Sequence, residues 1–261
     1  MKTYRMSLKQ VAIAFYTIVH REWVRTFRIW IGTLLPPVIT TILYFVIFGH
    51  VIGQRIGLMA GYPYLQFIAP GLIMMAVITN AYSSTVAAFF SIKFHRDIED
   101  MLVSPMPPWI IVFGFMVSGM IRGVLVGIIV TIIALFFTHL KIHSFPTIIL
   151  VVLLSSSIFS LGGILNAIYA NSFDEISIIP TFILTPLTYL GGVFYSLNLL
   201  PVFWRKLSLA NPIVYIIQSF RYGLLGVESH DLVISFLVML FIAIVCFLIT
   251  LWLVKKGVGI K

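Results

Sequence analysis

The chain is 261 residues long, 61% hydrophobic and only 10% charged, with a formal net charge of +9. A soluble domain is about half apolar and about a quarter charged, so no soluble fold of this length hides that much apolar surface. The expected class is an all-α integral membrane protein. The basic excess is not a nucleic-acid signature. Six of the 17 Lys and Arg residues precede residue 29 and three more fall in the last seven, and basic residues flanking apolar spans mark the cytoplasmic side. The single cysteine, Cys246, sits in an apolar run and excludes an internal disulfide or a Cys-based metal cluster.

Residues 1–29 form a unit of their own. In SLKQVAIAFYTIVHREWVRTFR, Leu8, Val11, Phe15 and Ile18 recur at helical spacing, continued by Trp23, Phe27 and Trp30, while Arg21, Arg25 and Arg28 share another face. A basic amphipathic helix with aromatic residues lies in the membrane interface, so an interfacial elbow is expected here rather than a span. No small-residue cleavage pattern accompanies the first apolar stretch, and no cleavable signal peptide is expected.

Six spans of roughly 20 apolar residues each are expected at about 30–52, 65–90, 109–137, 145–170, 176–195 and 231–254, one membrane domain over 30–254 with a tail at 255–261. With the N-terminus inside, the cytoplasmic segments hold Lys2, Arg5, Lys9, Arg21, Arg25, Arg28, Lys93, Arg96, Lys255, Lys256 and Lys261. The outer segments hold only Arg55, Lys141, Arg205, Lys206 and Arg221, so both termini are expected in the cytoplasm. In the third span Gly119, Gly123 and Gly127 lie on one helix face, and in the fourth Ser155, Ser156, Ser157, Ser160, Gly162 and Gly163 form a second small stripe. Such residues let membrane helices approach closely. The sixth span, apolar all round, suits a lipid-facing periphery.

The connection between spans two and three reads KFHRDIEDMLVSPMPPW. Arg96 and Asp100 stand at i, i+4, and Ile98, Met101 and Leu102 form an apolar ridge; the following prolines stop any helix. Two readings stand: a short helix that plugs into a soluble partner, or a solvated turn. In the loop NSFDEIS, Asp174 is expected to cap a helix starting at Glu175 or Ile176, with partner contact as the second reading. Arg122 is the one ionisable residue deep in a span. No acid within the spans pairs with it, so backbone carbonyls, Asn166 or an anionic substrate are its candidate partners. Snorkelling along about 13 residues, roughly 20 Å, is awkward.

His139 and His143 are four apart, but Pro146 and the short loop oppose a rigid metal pair, and no metal is expected. There is no Ser-His-Asp arrangement and no GxxxxGK[ST] phosphate loop, so neither catalysis nor ATP binding by that route is expected of this chain.

From 180 to 226 the sequence reads PTFILTPLTYLGGVFYSLNLLPVFWRKLSLANPIVYIIQSFRYGLLG. With PLTYLGGVFY, LP, NP and RYGLLG, and with the elbow and PPVITTILYFVIFG of span one, it resembles the membrane permeases of type-2 ABC transporters, many of them bacterial exporters. The resemblance implies a homodimeric six-span permease of the bacterial inner membrane, in contact with lipid and carrying two copies of a separate ATPase that holds ATP and Mg. It implies a coupling helix at about 95–103, with Arg96, Asp97, Ile98, Glu99, Asp100, Met101 and Leu102 against the ATPase. Arg21 and Glu22 of the elbow, with Asp174 and Glu175, come as secondary cytoplasmic contacts. Re-entrant outer helices are implied at about 196–226. The pathway positions are Asn80, Tyr82, Thr185, Thr188 and Tyr189, with Phe194 and Tyr195 at an outer gate.

On the residues alone, two other classes compete with a permease. An ion-coupled carrier needs intramembrane acids or histidines as relays, and the six expected spans hold no acid beyond Asp231 at the edge of the sixth. A non-transporting scaffold is separated from a permease by whether an ATPase partner exists. The stretch LTPLTYLGGVFYSLNLLP is the outer end of a path on the permease reading, because irregular backbone at membrane depth persists only when buried or lining a cavity. The other reading is a proline-kinked span with a long loop. On the first reading Arg205, Lys206 and Arg221 sit at headgroup level.

Overall fold

The computed structural model describes residues 6–227 and 231–259; Lys2, Arg5 and Lys261, counted above toward orientation, lie outside them. Helix α1 (Leu8–Arg28) is the elbow. Ser7 starts it with a reciprocal cap: its Oγ accepts from the Gln10 amide at 3.3 Å, and its own amide donates to Gln10 Oε1 at 2.8 Å. Ile18 is buried against Gly114, and Phe15 lies 5.5 Å from Phe113, whereas Trp23 and Phe27 pair with each other and stay exposed. One face thus holds protein while the aromatic face is left for acyl chains. A break at Ile29 separates the elbow from α2 (Trp30–Val46), which puts Trp30 in the span rather than the elbow.

Among the described residues, five helices are long and apolar enough to cross a membrane: α2 as far as Gly49, α4 (Tyr64–Phe94), α6 (Pro108–Phe137), α7 (Phe145–Tyr169) and α12 (Leu232–Lys256). Beyond α2 the chain runs on through a π turn (Ile47–Ile52) into the single turn α3 (Gly53–Ile56). A small antiparallel hairpin follows, β1 (Leu58–Met59) with β2 (Tyr62–Pro63), which hydropathy alone did not suggest. At the opposite end of α4, α5 (Asp97–Val103) leads into α6. The molecule thus has an α5 end and a hairpin end.

Helix α4 is the axis, buried on nearly every side by α6 and α7. The small-residue faces expected from the sequence make this possible. A Cβ on Gly119 would collide with the hydroxyls of Thr85 and Ser160, and one on Gly163 would stand 2.7 Å from the Tyr82 carbonyl. Packing, not apolar transfer, holds helices together in lipid, so these close approaches carry the stability of the bundle. Lys93 adds a polar tie: its ammonium donates to the carbonyls of Ile168 at 2.6 Å and Ala170 at 2.7 Å, end groups of α7 that lack helical partners.

The expected fifth span is shorter than its reading of 176–195. It consists of α8 (Glu175–Ile179), a π turn (Pro180–Leu184) and α9 (Thr185–Leu190), five, five and six residues in unbroken succession. That is about 24 Å of helix against a hydrocarbon core of about 30 Å. Residues 191–195 are turn, because Gly192 takes φ +79, a left-handed value that suits glycine. A 3₁₀ turn (Leu197–Leu199), α10 (Val202–Leu209) and α11 (Pro212–Leu225) complete the chain before α12. Asp174 does not cap α8. Its backbone is already helical, and it is Ser172 Oγ that accepts from the Glu175 amide, at 3.2 Å.

Candidate functional site

Helix α2 carries Pro36 and Pro37 in its interior. Neither has an amide to donate, so the carbonyls of Gly32 and Thr33 lose their intrahelical donors and this stretch faces open space rather than a neighbour. Between it and α4 lies a cavity of about 320 Å³. From α2 it is walled by Thr33, Thr40, Thr41 and Tyr44; from α4 by Met75, Thr79, Asn80 and Ser83. Arg122 of α6 closes it toward the α5 end.

Toward the hairpin end the lining turns aromatic. Phe194 stands 4.8 Å from Phe48, 5.6 Å from Tyr44 and 5.8 Å from Tyr189, and the Tyr44 and Tyr189 hydroxyls meet at 3.2 Å. These rings join α2, α9 and the Gly191–Gly192 turn in one cluster. The turn itself is held from behind. Arg221 of α11 donates to the Gly192 carbonyl at 2.8 Å and the Phe67 carbonyl at 3.2 Å, and its guanidinium lies 3.9 Å over the Phe67 ring. It is 6% exposed, so it does not mark headgroup level; Arg205 and Lys206, on α10, are exposed.

The pathway residues named from the sequence divide on this geometry. Asn80 lines the cavity, and Tyr189 and Phe194 are in the cluster. Tyr82, two residues on and so on the far side of α4, is buried against Gly162. Thr185 donates to the Pro180 carbonyl at 2.8 Å inside the π turn, and Thr188 is fully buried with its hydroxyl on Leu184. Tyr195 turns away, donating to the Leu190 carbonyl at 3.1 Å. Missed altogether were Thr33, Thr40, Tyr44 and Phe48. They repeat at helical spacing along span one, a polar-to-aromatic stripe that a search for that period would have found.

At the α5 end, Arg122 sits beside the elbow rather than near Asn166, whose amide donates to the Ile176 carbonyl at 2.9 Å. Glu22, buried, takes Arg25 at 2.7 Å and Arg21 at 3.6 Å. Burial pushes the Arg25 guanidinium below its ordinary range, with Glu22 partly offsetting this. In α5, Ile98 is fully buried and Met101 and Leu102 pack on the core, so the ridge anchors the helix instead of facing outward. The exposed face is Asp97, Glu99, Asp100 and Val103. Arg96 has φ 63 and precedes the helix, which takes it off the face it was expected to share with Asp100. Phe173 packs on Phe90 and Phe94, drawing the Asp174–Glu175 loop to the same end. Among the described residues, no group of three or more His, Cys, Asp or Glu side chains stands close enough to hold a metal ion.

Comparison with known proteins bears on this arrangement. Residues 13–225 match the family described as ABC-2 type transporter. The chain is 51% identical over 249 residues to the inner membrane transport permease YadH of Escherichia coli K12, covering 95% of this chain and 97% of that one. It is also 26% identical over 243 residues to nodulation protein J of Rhizobium leguminosarum bv. viciae, covering 90% and 92%. A polar cavity under an aromatic cluster, within a bundle of apolar helices, is thus the interior of a transport permease, and the chain belongs to the ABC-2 type transporter family.

Proposed function

We propose that two copies of this chain form the translocation path of an ATP-driven exporter in a bacterial inner membrane, with two copies of a separate ATPase, which hold ATP and Mg, seated on the α5 end. Both termini lie in the cytoplasm, as the basic residues of the α5-end segments favour. Glu175–Leu190 with the turn after it serves as the sixth crossing, and α10 and α11 as the re-entrant pair.

The observation that carries this reading is α5. A seven-residue helix between two spans, held from within by Ile98, presents three acids outward. Such a helix can transmit a push without bending, because its buried ridge ties it to α4 and the core. The elbow with Arg21 and Glu22, and the Asp174–Glu175 loop, flank it at the same end. The cavity supports the dimer: its walls come from α2, α4 and Arg122, and a second copy would supply the side they leave open.

The test is the triple variant Asp97→Lys, Glu99→Lys, Asp100→Lys. An ATPase identified by its peptide masses should co-purify with the wild-type chain and be lost from the variant, together with transport-linked ATP hydrolysis. Undiminished ATPase retention by the variant would sink the reading. Reversing Arg205 and Lys206 at the other end should leave retention unchanged.

A further inference from the structure

The charge at the α5 end of the cavity does not balance. Glu22 is the acid there, and both of its oxygens are engaged by Arg25 and Arg21. These are the two ion pairs among the described residues, and neither includes Arg122. Arg122 lines both the small void beside Glu22, Thr26 and Ser118 and the large cavity beyond. Its Nε is buried without a hydrogen-bond partner among the described residues. A guanidinium taken from water and left with a free N–H costs several kcal/mol, and persists where something outside the chain completes it.

Depth says where that something comes from. Helix α4 has 31 residues, about 46 Å, and so outruns a hydrocarbon core of about 30 Å. Measured from Tyr64 at the hairpin end, about 20 residues of helix span the core and end near Ser84, whose carbonyl accepts from Arg25 at 3.3 Å. Arg122 faces Asn80 and Ser83, about one turn inside that boundary. The 20 Å counted along α6 overstated its depth, because the first turns of α6 lie alongside the elbow.

We infer that this cavity binds the net-anionic phosphodiester headgroup of an amphiphile drawn from the leaflet at the α5 end, with Arg122 holding phosphate oxygen and Thr33, Thr79, Asn80 and Ser83 lining the headgroup's uncharged polar remainder. A zwitterionic head would bring a second cation beside Arg122 with no acid among the described lining residues to meet it. Arginine's planar donors suit phosphate. The donors of Thr33, Thr79 and Asn80 bond back to the carbonyls of Ile29, Met75 and Ala76, so these side chains offer the oxygens' remaining lone pairs, with the carbonyls freed by Pro36 and Pro37, to the hydroxyls of a hydrated head. Treating the bound molecule as cargo rests on the permease reading. The binding itself does not, and its assay needs no ATPase, so the two fail separately.

The experiment is native mass spectrometry of the full-length chain titrated with dioleoylphosphatidylglycerol, dioleoylphosphatidylcholine or inorganic phosphate. Wild type should take up one saturable phosphatidylglycerol per chain that phosphatidylcholine does not displace. Arg122→Gln should weaken it about tenfold, the loss of one charge-assisted contact. Arg122→Lys should weaken it less, and Arg205→Gln should leave it unchanged. Equal binding by Arg122→Gln and wild type, or equal uptake of phosphatidylcholine, overturns the inference. So does an Arg122-dependent site that takes inorganic phosphate and no phosphatidylglycerol, which would be a free-anion site. Should Arg122→Gln fail to fold, Asn80→Leu decides: undiminished phosphatidylglycerol binding there overturns the site.

Discussion

Each end of the cavity has an arginine that meets no acid among the described residues, and the two arginines are spent differently. Arg221 is enclosed, and its donors go to the carbonyls of Phe67 and Gly192 and its face to a phenyl ring. Arg122 is half-buried beside open volume with Nε unmatched. The first pins a turn on which Phe194 sits; the second leaves a charge available. A lone membrane arginine is therefore read from where its donors end, not from its presence in a span.

The largest expected effect breaks this comparison if it fails. Arg221→Leu strands two buried carbonyls and should cost about 3 kcal/mol of stability, whereas Arg122→Leu removes an uncompensated charge and should cost less than about 1 kcal/mol or stabilise. Thermal unfolding of the two purified variants beside wild type decides it, and equal losses would erase the distinction. A middle-sized effect sharpens the Arg122 side. Gly119→Leu overpacks α6 against Thr85 and Ser160, three residues before Arg122. It should cost about 1–3 kcal/mol in the same measurement. The smallest lies on the Arg221 side: Tyr189→Phe removes a single exposed hydrogen bond to Tyr44. A loss of about 0.5–1 kcal/mol is expected, and a loss as large as that of Arg221→Leu would mean the ring cluster, not the arginine, holds this end.

The long helices were legible because lipid demands long apolar runs, and α6 and α7 match their expected limits within one residue. The elbow was legible from its period, whereas the α5 loop left helix and solvated turn both open, and only the family resemblance placed a helix there. The fifth span's limit at 195 lay five residues too far, since hydropathy continues smoothly across Gly191–Gly192, although that glycine pair was legible as a helix breaker and the backbone does turn there. Charge counting misjudged Arg221, because it treats every basic residue outside a span as a headgroup marker. Side-chain direction was the other blind spot. Tyr82 and Asn80 look equally suited to a path, yet two residues along a helix face nearly opposite ways. Thr188 looks polar and available, yet it is wholly buried, away from the cavity, with its hydroxyl on the Leu184 carbonyl.

The π turn between α8 and α9 has one more consequence. At its close the Thr185 amide reaches back five residues to the Pro180 carbonyl, and the Thr185 hydroxyl lands on the same oxygen. Such a turn stores one surplus residue inside an otherwise continuous rod. Expelling that residue would re-phase everything beyond it by about 100°, one residue's worth of helical rotation. Tyr189 would then swing off Tyr44 without α9 unwinding. The threonine doubles the grip on a single acceptor, so such a rotation would have to break both contacts at once.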